Sequence, residues 1–96
     1  MVTKQAADGK VRVTFTMPAI EGCEGLYLVG DFNVWNEAAN PMQRKEDGTW
    51  VLALELEPGR EYQFRYRTDT GVWYNDPAAD AYAPNPHGSD NSIVRP

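Results

Sequence analysis

Apolar and polar residues alternate with a period of two along most of this chain. Val11, Val13, Phe15 and Met17 alternate with Arg12, Thr14 and Thr16. That is the pattern of a strand with one buried face, and Pro18 ends it. Leu26, Tyr27, Leu28 and Val29 form a continuous apolar run closed by Gly30, which predicts a more central strand. Trp50, Leu52, Leu54 and Leu56 alternate with Val51, Ala53 and Glu55; Tyr62, Phe64 and Tyr66 alternate with Glu61, Gln63, Arg65 and Arg67. Val72–Tyr74 and Ser92–Val94 are shorter strand candidates. Trp50, Tyr62, Phe64 and Tyr66 are in phase with apolar neighbours and are expected in the core. Alternation then points Gln63 and Arg65 away from it.

Turn chemistry separates the runs. Asp47-Gly48, Pro58-Gly59 and Thr70-Gly71 are pairs that reverse a chain. The Asp47-Gly48 and Pro58-Gly59 turns predict that Trp50–Leu56 and Glu61–Thr68 are neighbours in a meander. No apolar period of 3.6 persists, so no substantial helix is expected. Residues 75–90, "NDPAADAYAPNPHGSD", predict an irregular connection back to a final strand. Many short strands in a chain of 96 residues point to one all-β antiparallel sandwich. The expected layout is a flexible segment over 1–9 and a single domain over 10–96.

Charge narrows the partners. Nine Lys+Arg against fourteen Asp+Glu give a net charge of -5. This argues against nucleic acid and anionic membranes, whose recognition rests on basic charge. No apolar run approaches a membrane span. No secretory h-region is seen, so a cytoplasmic location is expected. Cys23 is the one cysteine and is expected as a half-buried thiol. One cysteine and one distant histidine do not make a metal site, and no cofactor is expected.

Carboxylates are plentiful, but Asp31, Glu37, Asp69, Asp76 and Asp80 all fall in predicted loops or turns. Solvated or turn-forming roles explain them there. A thin sandwich also offers little depth for the water-excluding cleft that paired glycosidic carboxylates need. His87 is the one histidine, with no nucleophile motif to serve. The chain is therefore expected to be non-catalytic.

The aromatics are more informative. The loop "VGDFNVWN" (29–36) places Phe32 and Trp35 among polar residues, and Trp73 follows the Thr70-Gly71 turn. Each indole either caps a sandwich edge or serves as an exposed platform. An indole offers a flat apolar face whose quadrupole attracts the C–H groups of a sugar ring. Planar amide and guanidinium groups then suit the hydroxyls at its rim. Spacing alone does not bring Trp35 and Trp73 together.

"YLVGDFNVWN" (27–36), "EYQFRYR" (61–67), "GVWYNDPAA" (71–79) and "HGSDNSIV" (87–94), in this order, resemble the family 48 carbohydrate-binding modules. That family includes the glycogen-binding domain of the AMP-activated protein kinase beta subunit and the early-set N-terminal domains of isoamylase and branching enzymes. The resemblance implies an immunoglobulin-like, early-set sandwich that binds α-1,4-glucans such as glycogen, starch and maltooligosaccharides. By the same resemblance, Trp35 and Trp73 match the two stacking tryptophans. Asn91 matches a glucose-binding Asn, Ser89 a hydroxyl-bearing Thr, and His87 replaces an apolar residue that sits beside the sugar. The family's Lys falls on Gln63, or on Arg65 if the register slips by one side-chain repeat. The hairpin before Trp73 is longer than the family's. The implied partner is an α-glucan, with a larger enzyme or kinase complex as the setting. Two other readings stay open: a packing or interaction module that has lost the sugar site, and an accessory domain of a glycoside hydrolase or branching enzyme.

Overall fold

The computed structural model describes residues 1–96. Nine strands run in chain order: β1 (Val2–Ala7), β2 (Lys10–Met17), β3 (Leu26–Gly30), β4 (Gln43–Arg44), β5 (Trp50–Leu56), β6 (Tyr62–Thr68), β7 (Trp73–Tyr74), β8 (Ala81–Pro84) and β9 (Asp90–Val94). One sheet has the order β1-β2-β5-β4 and the other β3-β6-β9-β8, with β7 alongside the remaining length of β6. All pairings are antiparallel. The architecture is an immunoglobulin-like β-sandwich: the alternating pattern predicted the antiparallel sandwich, and the resemblance implied its immunoglobulin-like form. The only helical element is a 3-10 turn, Asp31–Asn33.

The alternating residues face inward as expected. Val13, Phe15 and Met17 of β2 meet Leu26 and Leu28 of β3, Trp50 and Leu56 of β5, and Tyr62, Phe64 and Tyr66 of β6. Phe15 and Phe64 join the two sheets edge to face, with ring centroids 5.1 Å apart. Phe32 packs against this cluster, 5.8 Å from Phe15 and 6.1 Å from Tyr62. Of the two aromatics in the 29–36 loop, Phe32 is therefore the one turned toward the core.

Several expectations need correction. β5 and β6 are not neighbours in a meander; they lie in opposite sheets. Pro58-Gly59 carries the chain across the sandwich, and the Tyr62 hydroxyl accepts from the Glu57 N–H across that crossing at 3.2 Å. Alternation fixes which face of a strand is buried but not which strand lies beside it. The segment expected to be flexible, 1–9, instead supplies β1, paired with β2 from Val2↔Phe15 to Ala7↔Lys10. Asp8 (φ 47°) and Gly9 (φ 81°) are both left-handed, as a two-residue hairpin requires. β1 is mostly exposed, so alternation did not mark it. Residues 75–90 are not wholly irregular, because they contain β8. Cys23 is buried rather than half-buried.

Asp76, expected as a solvated loop charge, is fully buried. Its Oδ2 accepts from the Tyr66 hydroxyl at 2.7 Å and from the Met1 ammonium at 2.7 Å. Its Oδ1 accepts from the Ala78 N–H at 2.8 Å. The Asp76 N–H donates to Ser92 Oγ at 2.9 Å, and that hydroxyl donates to Asn75 Oδ1 at 3.0 Å. A buried carboxylate is tolerated when its lone pairs are met in this way. The network locks the two residues that follow Trp73 and Tyr74, and so fixes where β7 ends.

Candidate functional site

β6 sets the outer face of the second sheet. Its register pairs Val29↔Arg65, Tyr27↔Arg67, Gln63↔Ile93 and Arg67↔Trp73. Residues paired across strands share a face. With Phe64 and Tyr66 inside, Gln63, Arg65, Arg67 and Trp73 all lie outside, as alternation predicted for Gln63 and Arg65.

Three loops rise around this face. The 29–36 loop begins at Gly30, where no side chain fits. A Cβ there would lie 2.5 Å from the Gln63 carbonyl oxygen and 2.8 Å from Phe64 Cβ. The chain then turns through Asn33, whose Oδ1 accepts from the Gly30 N–H at 3.1 Å. Asn33 Nδ2 donates to the Leu28 carbonyl at 2.9 Å and to Asn40 Oδ1 at 2.8 Å. Val34 (φ 56°) and Trp35 (φ 58°) follow, both left-handed. That conformation costs an L-residue about 1–2 kcal/mol, and a β-branched valine adopts it least readily. Val34 is 89% exposed, so no apolar burial offsets the strain there. The Trp35 N–H donates to the Gly30 carbonyl at 2.9 Å. Its indole Nε1 donates to Asp31 Oδ1 at 2.9 Å, while Asp31 Oδ2 accepts from the Gln63 N–H at 2.7 Å. A single carboxylate thus ties the indole to β6.

The second loop is the β6–β7 hairpin that carries Trp73. The guanidinium carbons of Arg65 and Arg67 lie 5.7 Å and 6.0 Å from the centre of the Trp73 ring, within cation–π range. Arg67 Nε lies 3.3 Å from Glu37 Oε1, linking this hairpin to the segment after Trp35. Arg65 Nε is buried and has no hydrogen-bond acceptor. The third loop joins β8 to β9 through Asn85, Pro86, His87, Gly88 and Ser89.

Together these elements enclose an open groove of about 610 Å³. It is lined by Trp35, Trp73, Gln63, Arg65, Asn91 and His87, with Asp31, Glu37, Asn85 and Pro86. Residues singled out in four separate stretches of the sequence therefore converge on one face. Both Gln63 and Arg65 line the groove, although the resemblance offered them as alternatives. Ser89 does not line it. It is exposed in the turn, where its N–H donates to Asn85 Oδ1 at 3.2 Å and its carbonyl accepts from the Asn85 N–H at 2.8 Å. Asn85 and Pro86 were not anticipated as groove residues, although an Asn-Pro-x-Gly run is a turn signal. Asp31 and Glu37 read in the sequence as ordinary loop charges, because a sequence does not reveal which loops meet.

The carboxylates are occupied by this architecture. Asp31 uses both oxygens on internal donors, and Glu37 faces Arg67. Among all residues, no group of three or more His, Cys, Asp or Glu is placed to hold a metal ion. No helix is long and apolar enough to cross a membrane.

Fold and surface together define a class: an immunoglobulin-like β-sandwich with an aromatic groove on the outer face of one sheet. Residues 5–83 match the family model described as Carbohydrate-binding module 48 (Isoamylase N-terminal domain). The chain belongs to that family, whose members are binding modules rather than catalytic domains. It is 38% identical over 84 residues to the protein FLOURY ENDOSPERM 6, chloroplastic, of Oryza sativa subsp. japonica, covering 88% of this chain and 14% of that protein. It is 40% identical over 45 residues to the 1,4-alpha-glucan branching enzyme GlgB of Photobacterium profundum, covering 46% of this chain and 6% of the enzyme. A third relative is the 1,4-alpha-glucan-branching enzyme of Emericella nidulans, 53% identical over 32 residues, which are 33% of this chain and 5% of the enzyme. The chain thus spans only a small part of the length of these relatives.

Proposed function

We propose that this chain is a non-catalytic module that binds α-1,4-glucan in the groove on its second sheet. The observation that carries the reading is the convergence of Trp35 and Trp73 on one open concavity rimmed by Gln63, Arg65, Asn91 and His87. The two indoles stack on consecutive glucose rings, because their flat apolar faces match the C–H face of a pyranose. Gln63 and Asn91 exchange hydrogen bonds with ring hydroxyls, Arg65 adds donors beside Trp73, and His87 flanks the sugar. Ser89 acts on the turn rather than on the ligand. A concave groove suits a curved α-glucan better than a flat β-glucan ribbon. The relatives named for 1,4-alpha-glucan branching support the same polymer. In this reading the module works beside a glucan-processing activity that lies elsewhere.

Binding at an open surface is modest, on the order of 10 μM to 1 mM per site. Affinity electrophoresis in glycogen-containing gels tests the reading. Glycogen retards the wild-type chain and retards Trp35→Ala and Trp73→Ala less. Equal migration of all three with and without glycogen favours the alternative, a packing or interaction module of the same fold.

A further inference from the structure

Asn85 belongs to no strand face and no stacking pair, yet its side chain makes three hydrogen bonds. Its Oδ1 accepts from the His87 N–H at 2.9 Å and from the Ser89 N–H at 3.2 Å. These bonds shape the loop between β8 and β9. Its Nδ2 points the other way and donates to Asn91 Oδ1 at 3.1 Å. Asn91 Nδ2 in turn donates to Gln63 Oε1 at 3.0 Å. Three primary amides thus form a chain of one direction, Asn85 to Asn91 to Gln63, running from the loop along the groove to β6. Asn91 is 9% exposed and Gln63 is half-buried, so water competes weakly for these bonds.

An isolated amide can turn over and exchange its oxygen for its nitrogen. In this chain the turn over Asn85 Oδ1 removes that freedom. Two backbone N–H groups hold the oxygen of Asn85, so its nitrogen must face Asn91. Asn91 must then present oxygen to Asn85 and nitrogen to Gln63. Gln63 must present oxygen to Asn91, which leaves its Nε2 as the free terminus in the groove.

We propose that Asn85 is a positioning residue that sets the donor–acceptor polarity of the glucan site: through Asn91 it fixes Gln63 with Nε2 outward, so that Gln63 donates to a sugar oxygen. This rests on the glucan reading above and adds to it the direction of the contact. Asn85 itself acts through its neighbours. The same oxygen that builds the turn seating His87 orders the amides, so loop shape and ligand polarity are set together.

Asn85→Asp separates the two tasks. The aspartate keeps an oxygen for the His87 and Ser89 N–H groups and therefore keeps the turn. Its second oxygen replaces the Nδ2 donor, so Asn91 must turn its nitrogen toward residue 85. Gln63 then turns its own nitrogen toward Asn91, and an acceptor ends the chain in the groove. Maltoheptaose is uncharged, so the new carboxylate exerts no net Coulomb force on it.

Titration of the full chain with maltoheptaose, followed by tryptophan fluorescence, is paired with NMR of the side-chain amides of Asn91 and Gln63 in the free protein. Asn85→Asp is expected to lower affinity about threefold to tenfold, the worth of a misdirected hydrogen bond. It is also expected to shift both amide resonances while leaving backbone shifts in the strands unchanged. With Gln63→Ala already present, Asn85→Asp should cost clearly less than in the wild type, because the end of the relay is gone and only the turned-over Asn91 still meets the sugar. Wild-type binding with unchanged affinity in Asn85→Asp, or equal losses with and without Gln63, overturns the assignment and leaves the glucan reading standing. No binding by the wild type overturns both.

Discussion

Asp31 holds Trp35 by its indole nitrogen at 2.9 Å and, with its other oxygen, holds the Gln63 N–H of β6 at 2.7 Å. The carboxylate is the strut between a strained loop and the sheet below it. Asp31→Ala should free the indole and lower affinity for maltoheptaose about tenfold, through loss of a charge-assisted bond. Stability should change little, since both lost donors can reach water. Isothermal titration and urea unfolding measure the two effects separately.

Val34 stands in the left-handed region while 89% exposed. Asparagine tolerates that conformation better than a β-branched residue. Val34→Asn should therefore raise the unfolding free energy by about 1 kcal/mol without changing glucan affinity. A loss of stability in denaturant melts would show that Val34 makes a contribution its exposure hides.

Gly30 faces the opposite constraint. Its backbone is extended, so conformation does not require glycine, but a Cβ would lie 2.5 Å from the Gln63 carbonyl oxygen. Gly30→Ala should destabilise the chain by about 2 kcal/mol or more through overpacking. It should also shift the amide resonances of β3 and β6 together.

The buried Tyr66–Asp76 pair gives the fold an alkaline limit. Burial first, and then the neighbouring Asp76 carboxylate, push the Tyr66 phenol well above its ordinary value of 10.0. The unfolded chain then releases this proton at a lower pH than the folded chain does. The stabilisation is complete below about pH 10 and falls as pH rises beyond it. Urea melts at neutral pH and at about pH 11 should show a stability loss that is smaller in Tyr66→Phe. At neutral pH the same variant should be less stable by about 1–3 kcal/mol, because Asp76 loses a buried donor.

Much of this is legible in the sequence. Period-two runs located β2, β5 and β6, because each buries one face against the same core, and a continuous apolar run located β3, which is buried at four of its five positions. Sheet membership was not legible, since the β5–β6 connection looks like any Pro-Gly turn whether it pairs two strands or crosses the sandwich. β1 was missed because its residues are mostly exposed and only Asp8-Gly9 announces the hairpin. Trp35 and Trp73 stood out as aromatics outside the alternation. Asp76 did not stand out, because burial of a loop carboxylate depends on Tyr66 and Ser92 from other strands. Asn85 was equally silent, since its role depends on where Asn91 and Gln63 come to rest.

The central claim is that Trp35 and Trp73 contact the same glucan. The most direct measurement is an NMR titration of the three indole N–H signals with maltoheptaose. Trp50 is buried in the core and serves as the internal reference. The signals of Trp35 and Trp73 should move together with one dissociation constant while that of Trp50 stays still. Either Ala replacement should weaken binding by about 2 kcal/mol or more. Saturating maltoheptaose that leaves both groove indoles unmoved, or that moves only one of them, would contradict the account.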